Sequence, residues 1–266
     1  MSDLEIIKEY YNSDVEHEWN RLEHNSYEFL INTHFMDKYI KPGDKILDIG
    51  GGPGRYSLYF AQKGCDVTLI DLSVENVKFA MNKANELGVE LKAIEGNACN
   101  IESIVEDKYD HVFLMGPLYH LLKEADRKRA VKGSLEVLKP NGLFYASFIT
   151  SYAGIIYLLR EDPTMINNPE LLNDFKCFEE DRAFSGMAFT EARFERIWDV
   201  VPFMSGFNLE KLHLIGSESI LAPFKHQVMN QSELTFNKLV DLAIKVCERE
   251  DLLSYSEHLL YIGRKI

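Results

Sequence analysis

The sequence predicts a doubly wound α/β fold, a mostly parallel sheet covered by helices on both faces, and three observations predict it. Apolar, strand-like runs at 45–49, 66–70, 91–95, 109–115 and 142–149 alternate with helical periodicity at 55–63, 74–86 and 123–138. The first run stops at a glycine cluster, Asp48-Ile49-Gly50-Gly51-Gly52-Pro53-Gly54, where a helical pattern begins. The second run ends on an acid, Asp71, 17 residues after Gly54.

Taken in order, residues 1–40 carry helical spacing in three pieces: Leu4, Ile7 and Tyr11; Val15, Trp19 and Leu22; then Tyr27, Leu30, Ile31, Phe35 and Tyr39, with Ser26 as a cap. Lys41-Pro42-Gly43-Asp44 stops that segment before the first strand. Strands separated by helices require right-handed crossovers, hence a parallel sheet. Ser73 is placed to cap the helix at 74–86 and Gly88 to end it, while 99–106 is a short connection without clear patterning. The rhythm breaks at 150–189, where Tyr152, Ile155, Ile156 and Leu159 suggest a helix and Asp162-Pro163 and Asn168-Pro169 mark turns. Thr190 is expected to begin a helix running to about Phe203, followed by a strand near 209–215, a helix over about 232–250 and a last strand at 257–265. The chain divides into an N-terminal helical lid (1–40), an α/β core (41–149), an aromatic insertion over the site (150–189) and a completion of the sheet (190–266) with a helical insertion near 223–254.

Composition narrows the function classes. With 46% hydrophobic and 27% charged residues, the 266-residue chain is an ordinary globular one. A net charge of −13 opposes attraction to phosphate backbones and anionic membranes, so neither a nucleic-acid nor a membrane partner is expected. Cys65, Cys99, Cys177 and Cys247 show no paired spacing and no signal peptide precedes them, which fits a reducing cytoplasm. The oligomeric state is not readable.

The glycine turn is the chemical signal. Glycines at 50, 52 and 54 admit positive φ and remove Cβ atoms, so a ligand can lie against bare amides at a helix start. A carboxylate at Asp71 can accept hydrogen bonds from both hydroxyls of a ribose lying over that turn. A dinucleotide site expects G-x-G-x-x-G, and counting from Gly50 and Gly52 puts Arg55 where the third glycine belongs, so NAD is the poorer fit.

Asp48-x-Gly50-x-Gly52-x-Gly54 resembles instead the first motif of class I S-adenosylmethionine-dependent methyltransferases of the bacterial small-molecule type. The likeness continues through Asp71, the loop Gly96-Asn97-Ala98-Cys99, the run Met115-Gly116-Pro117-Leu118-Tyr119-His120-Leu121, Gly142-Leu143-Phe144 and the terminal His258-to-Lys265 segment. It covers 40–150 well and 190–266 loosely. The resemblance implies a Rossmann-like, mostly parallel seven-stranded sheet with helical lid elements and S-adenosyl-L-methionine as cofactor. It also implies cofactor contacts from Asp48, Gly50, Gly51, Gly52, Gly54, Asp71, Leu72, Asn97, Ala98, Met115 and Gly116. Asn97 stands where an aspartate is more usual, which leaves its side-chain contact open.

The sulfonium of that cofactor makes its methyl group electrophilic, so the protein need hold a nucleophile in line with it and exclude water. His120, at the end of the fourth strand, is either a general base or a structural histidine that orients its loop, and Tyr119 either packs or walls the transfer channel. Tyr11 and Arg21, on a helix that folds over the cofactor in the resembled family, either cover the sulfonium and meet the methionyl carboxylate or belong to a core-packing stripe. His17 and His24 lack further ligands, and no metal is expected. Glu179-Glu180-Asp181 and Glu248-Arg249-Glu250-Asp251 read as solvated faces. Phe175, Phe178, Phe184 and Phe189 pack the insertion down or line an apolar pocket. The expected function is methyl transfer to a small molecule. The alternatives are a nicotinamide-dependent oxidoreductase and a non-catalytic cofactor-binding protein.

Overall fold

The computed structural model describes residues 3–13, 15–16, 19–20, 26–169 and 176–266. Five parallel strands form its centre: β1 (Lys45–Ile49), β2 (Asp66–Asp71), β3 (Lys92–Glu95), β4 (Tyr109–Leu114) and β5 (Leu138–Thr150), in the spatial order β3-β2-β1-β4-β5. The helices α1 (Asp3–Ser13) and α2 (Ser26–Met36) precede the sheet, and α3 (Arg55–Gln62), α4 (Val74–Leu87) and α5 (Glu124–Val137) lie within the crossovers. The chain runs outward from β1 to β3 and returns to β4 on the other side of β1. The strand order therefore reverses between β1 and β4, and a crevice must open at their carboxyl ends.

β1, β2, β4 and the second half of β5 bury both faces, as parallel strands flanked by helices do, whereas β3 at the edge is exposed or half-buried throughout. On β4, Val112 and Leu114 face a core shared with Leu47, Phe144 and Ala130, whereas Phe113 faces the opposite core with Ile46, Phe60 and Tyr145. The predicted caps are in place. Ser73 Oγ accepts the Asn76 N–H at 3.1 Å, and Gly88 closes α4 at φ +67°.

The C-terminal part departs from expectation in one place. The helix expected from Thr190 begins only at α7 (Ile197–Met204), because Phe184–Met187 (β6) and Glu191–Glu195 (β7) form an antiparallel hairpin. Ala192 is the buried residue of β7, and backbone pairing makes a strand of a stretch whose sequence spacing also suits a helix. The seven expected strands are joined by these two. β5 outruns β4, and its last residues Ile149 and Thr150 take β7 in parallel, while β9 (His258–Lys265) pairs along the other edge of β5 and β8 (Leu209–Gly216) lies beyond β9. The hairpin thereby hangs over the carboxyl end of β4. The insertion supplies α6 (Ala153–Glu161), and α8 (Lys225–Met229) and α9 (Glu233–Val246) lie between β8 and β9.

A buried ionic knot ties that addition to the sheet. Glu218 accepts from the Ser256 hydroxyl, the His258 amide and His258 Nδ1, the last at 2.6 Å, while Arg160 bridges Glu257 and Glu161. Burial alone would raise the Glu218 carboxyl and lower the His258 imidazole. Their attraction reverses both, leaving Glu218 below its ordinary range and His258 at about 9. The pair's stabilisation is whole between the ordinary ranges of a free glutamate and a free histidine. It fades as pH falls through the Glu218 range and as it rises through about 9. Glu218→Gln is expected to destabilise the fold by about 3 kcal/mol or more at pH 6 and by clearly less at pH 10, measured by urea denaturation.

Candidate active site

The crevice predicted by the strand reversal is an open cleft of about 1200 Å³. Asp48, Gly50, Gly51, Gly52, Asp71, Leu72, Asn97, Ala98, Met115, Gly116, Tyr119, His120 and Tyr11 all line it. Gly54 does not. It caps α3 at φ +90°, and a Cβ there would meet Ala80 at 3.1 Å, so it serves helix packing rather than a ligand surface. Arg21, His17, His24 and Phe175 lie outside the described residues.

The glycine turn works in two ways. Gly50 sits at φ +71°, and a Cβ on it would lie 2.6 Å from the Pro117 ring, so its bareness lets the loop after β4 close down on the turn. Gly52, at φ +56°, faces open space, so its missing Cβ keeps the cradle clear for a ligand. Asp71 stiffens the same cradle. Its Oδ2 accepts the Gly52 N–H at 2.8 Å, and its Oδ1 accepts Ser73 N–H at 2.8 Å and Asn76 Nδ2 at 3.1 Å. Three donors fix this carboxylate in the wall of the cleft. Asn97 turns its side chain to the Cys99 N–H at 2.9 Å, which leaves its backbone and Ala98 as the wall there.

Asp48 is fully enclosed, with Ser57 Oγ donating to it at 2.7 Å. Burial raises its carboxyl to about 7, the Ser57 hydrogen bond opposing and the nearby Asp71 adding to the rise. A carboxylate so placed suits an ammonium, whose charge would favour the ionised form.

Across the cleft, the turn Pro117–Tyr119 delivers His120, which is buried. Its Nδ1 lies 3.1 Å from the Glu191 carbonyl of β7 and its Nε2 2.8 Å from the Tyr11 hydroxyl of α1. A carbonyl only accepts, so the ring proton sits on Nδ1 and Nε2 accepts from Tyr11. Tyr119, whose hydroxyl donates to the Met115 carbonyl at 3.4 Å, packs on the same ring at 4.8 Å between centroids. α1 is held in place by Lys8, which pairs with Glu95, and by Asn12, which accepts the Ser73 hydroxyl at 2.6 Å.

The aromatic residues of the insertion pack rather than line the cleft: Phe178 on Tyr152, Phe184 on Phe194, and Phe189 on Tyr10 and His120. Other lining residues carried no local sequence signal. Glu28, Ser147 and His258 come from three distant elements, and Arg55 and Tyr56 follow the glycine turn without matching a phosphate-type motif. Among the described residues, Glu28, Glu218 and His258 offer ligand atoms within 4.8 Å of one another. Glu218 is already saturated by donors and His258 is held protonated, which makes this an ion-pair group rather than a ready metal site. Among the described residues no helix is long and apolar enough to cross a membrane.

Residues 46–142 match the family described as a methyltransferase domain. A ubiquinone biosynthesis O-methyltransferase of Aeromonas salmonicida is 36% identical over 138 residues, 51% of this chain and 57% of that protein. A putative ribosomal RNA large subunit methyltransferase of Methanocaldococcus jannaschii is 38% identical over 104 residues, 37% of this chain and 27% of that protein. The chain thus spans little more than half, or less, of the curated relatives it matches. In fold it is similar to a magnesium protoporphyrin IX methyltransferase from Synechocystis PCC 6803 solved with bound S-adenosylmethionine, at TM-score 0.59 and 13% identity, covering 100% of this chain and 98% of that one.

Two outcomes follow from the geometry. Gly50→Ala places a side chain in left-handed backbone and against Pro117, so it is expected to cost about 2 kcal/mol or more and to disorder the cleft, read by thermal melting. Asp48→Asn removes a carboxyl whose folded value is raised, so wild type bears the burial cost above about pH 7 and none near pH 4. The variant is expected to be more stable by roughly 1–3 kcal/mol at pH 8 and equal at pH 4, measured by urea denaturation.

Proposed function

Residues 46–142 being a class I S-adenosylmethionine-dependent methyltransferase domain, with S-adenosyl-L-methionine as its cofactor, we propose that this chain transfers a methyl group to a small-molecule acceptor by in-line displacement. The observation that carries this reading is the pairing, across one cleft, of the bare turn and Asp71 with the Tyr11–His120 hydrogen bond. Asp71 would hold the ribose, the bare surface of the Gly50–Gly52 turn would lie against the amino-acid part of the cofactor, Asp48 would take its ammonium, and Leu72, Asn97 and Ala98 its base. When bound, the cofactor supplies a methyl group on a positively charged sulfur.

The chain's own residues then align, shield and deprotonate. α1 acts as a lid: Ile7 and Tyr11 cover the cleft and exclude water. His120, with Nδ1–H fixed on the Glu191 carbonyl, keeps an Nε2 lone pair aimed at the Tyr11 oxygen. A proton leaving the acceptor reaches Nε2 through that hydroxyl, so Tyr11 and His120 act as a pair rather than His120 alone. The chain's acidic charge favours a metabolite over a nucleic acid, and Arg55, over the Phe29 ring at 4.6 Å, occupies the place of the glycine that a dinucleotide would need.

Asp71→Ala removes charge-assisted hydrogen bonds worth about 1.5–3 kcal/mol, so S-adenosylhomocysteine should bind tenfold weaker or worse by calorimetry. Undiminished binding would refute the ribose assignment. Tyr11→Phe should leave that affinity within about threefold and lower kcat by about 10²-fold, read as release of S-adenosylhomocysteine. Preference for NAD over S-adenosylhomocysteine in a side-by-side titration would overturn the whole reading.

A further inference from the structure

Three polar side chains line the cleft beyond the roles given above: Glu28 at the start of α2, Ser147 on β5 and His258 at the start of β9. Three strand spacings separate β2, which carries Asp71, from β5, about 14 Å at the usual distance between strands. These residues therefore stand at the far end of the cleft from the ribose carboxylate, past the transfer point at the end of β4. What they recognise belongs to the acceptor, an inference that rests on the transferase reading.

Their donors and acceptors are defined. Ser147 is 6% exposed and opens on the cleft, and its hydroxyl has no hydrogen-bond partner among the described residues. His258 commits Nδ1 to Glu218, whose remaining oxygen is taken by the Ser256 hydroxyl and the His258 amide. The ring's polar edge left for the cleft is Nε2, a donor, on a side chain that is 24% exposed. The Glu28 carboxylate, an acceptor, comes within 4.8 Å of the Glu218 and His258 ligand atoms.

We propose that Glu28, Ser147 and His258 form an acceptor-anchoring subsite for a neutral hydroxyl, so that the acceptor is a hydroxylated molecule such as a polyol, a sugar or a hydroxylated ring. A hydroxyl accepts from an imidazolium N–H and donates to a carboxylate at once. A carboxylate, which only accepts, could not donate to Glu28, and an ammonium, which only donates, could not accept from His258; a hydroxyl does both. Ser147 can serve as donor or acceptor and adapts to the neighbouring atom. The three residues position the acceptor and leave the proton to Tyr11 and His120.

The test uses the full chain, cofactor bearing an isotopically labelled methyl group, and metabolite extracts, with labelled products identified by mass spectrometry. Ser147→Ala and Glu28→Gln are the variants, since replacing His258 would strand Glu218 as a buried charge. The expected product carries a hydroxyl besides the methylated atom. Ser147→Ala should raise the KM of its unmethylated parent about tenfold, and Glu28→Gln at least threefold, with kcat within twofold and S-adenosylhomocysteine affinity unchanged. A product without such a hydroxyl, a KM unchanged in both variants, or activity abolished by EDTA and restored by a divalent cation would overturn the subsite while leaving the transferase standing. Bound S-adenosylhomocysteine with no labelled product from any extract would overturn the transferase reading itself.

Discussion

The contact between Gly50 and Pro117 is the constraint from which the rest of the cleft follows. Gly50 must hold a left-handed backbone to turn β1 into α3, and it must lack a side chain for the Pro117 ring to reach it. With both conditions met, the loop after β4 folds inward and its short turn presents His120 over the cradle. His120 in turn holds α1 through Tyr11 and the β6–β7 hairpin through Glu191. One residue without a Cβ thus links the glycine turn, the Tyr11–His120 hydrogen bond and both covering elements.

The cleft is also where stability yields to chemistry. Asp48 and Asp71 stand close in a dry wall, and burial lifts Asp48 to about 7, an arrangement that disfavours the empty fold and favours a cationic ligand. The Glu218–His258 pair is the opposite case, because the buried carboxylate and the half-buried imidazole satisfy each other's charge. It fastens β9 beside β5 at one end of the cleft and at the same time commits Nδ1 of His258, leaving Nε2 for other partners.

Legibility in the sequence followed locality. The β1 turn, the Ser73 cap and Gly88 end of α4, and Asp71 at a strand end are each specified by residues within a few positions of one another, and each is found where spacing placed it. The stretch 190–195 was not legible, because its composition suits a helix and only pairing with β5 and β6 makes it a strand. Gly54 looked like a ligand-facing glycine and turned out to be one that packs against Ala80, a distinction that depends on where α4 lies.

By itself the sequence determined the doubly wound core and the cofactor cradle, since a glycine turn followed by a strand-end carboxylate encodes its geometry in short-range spacing. Only the tertiary structure decided how the chemistry is completed. Tyr11, His120 and Glu191 meet from positions more than 70 residues apart, and Glu28, Ser147 and His258 converge from α2, β5 and β9. Such convergence is set by strand order and helix packing, which bring distant segments to the same sheet edge and leave no local trace in the chain.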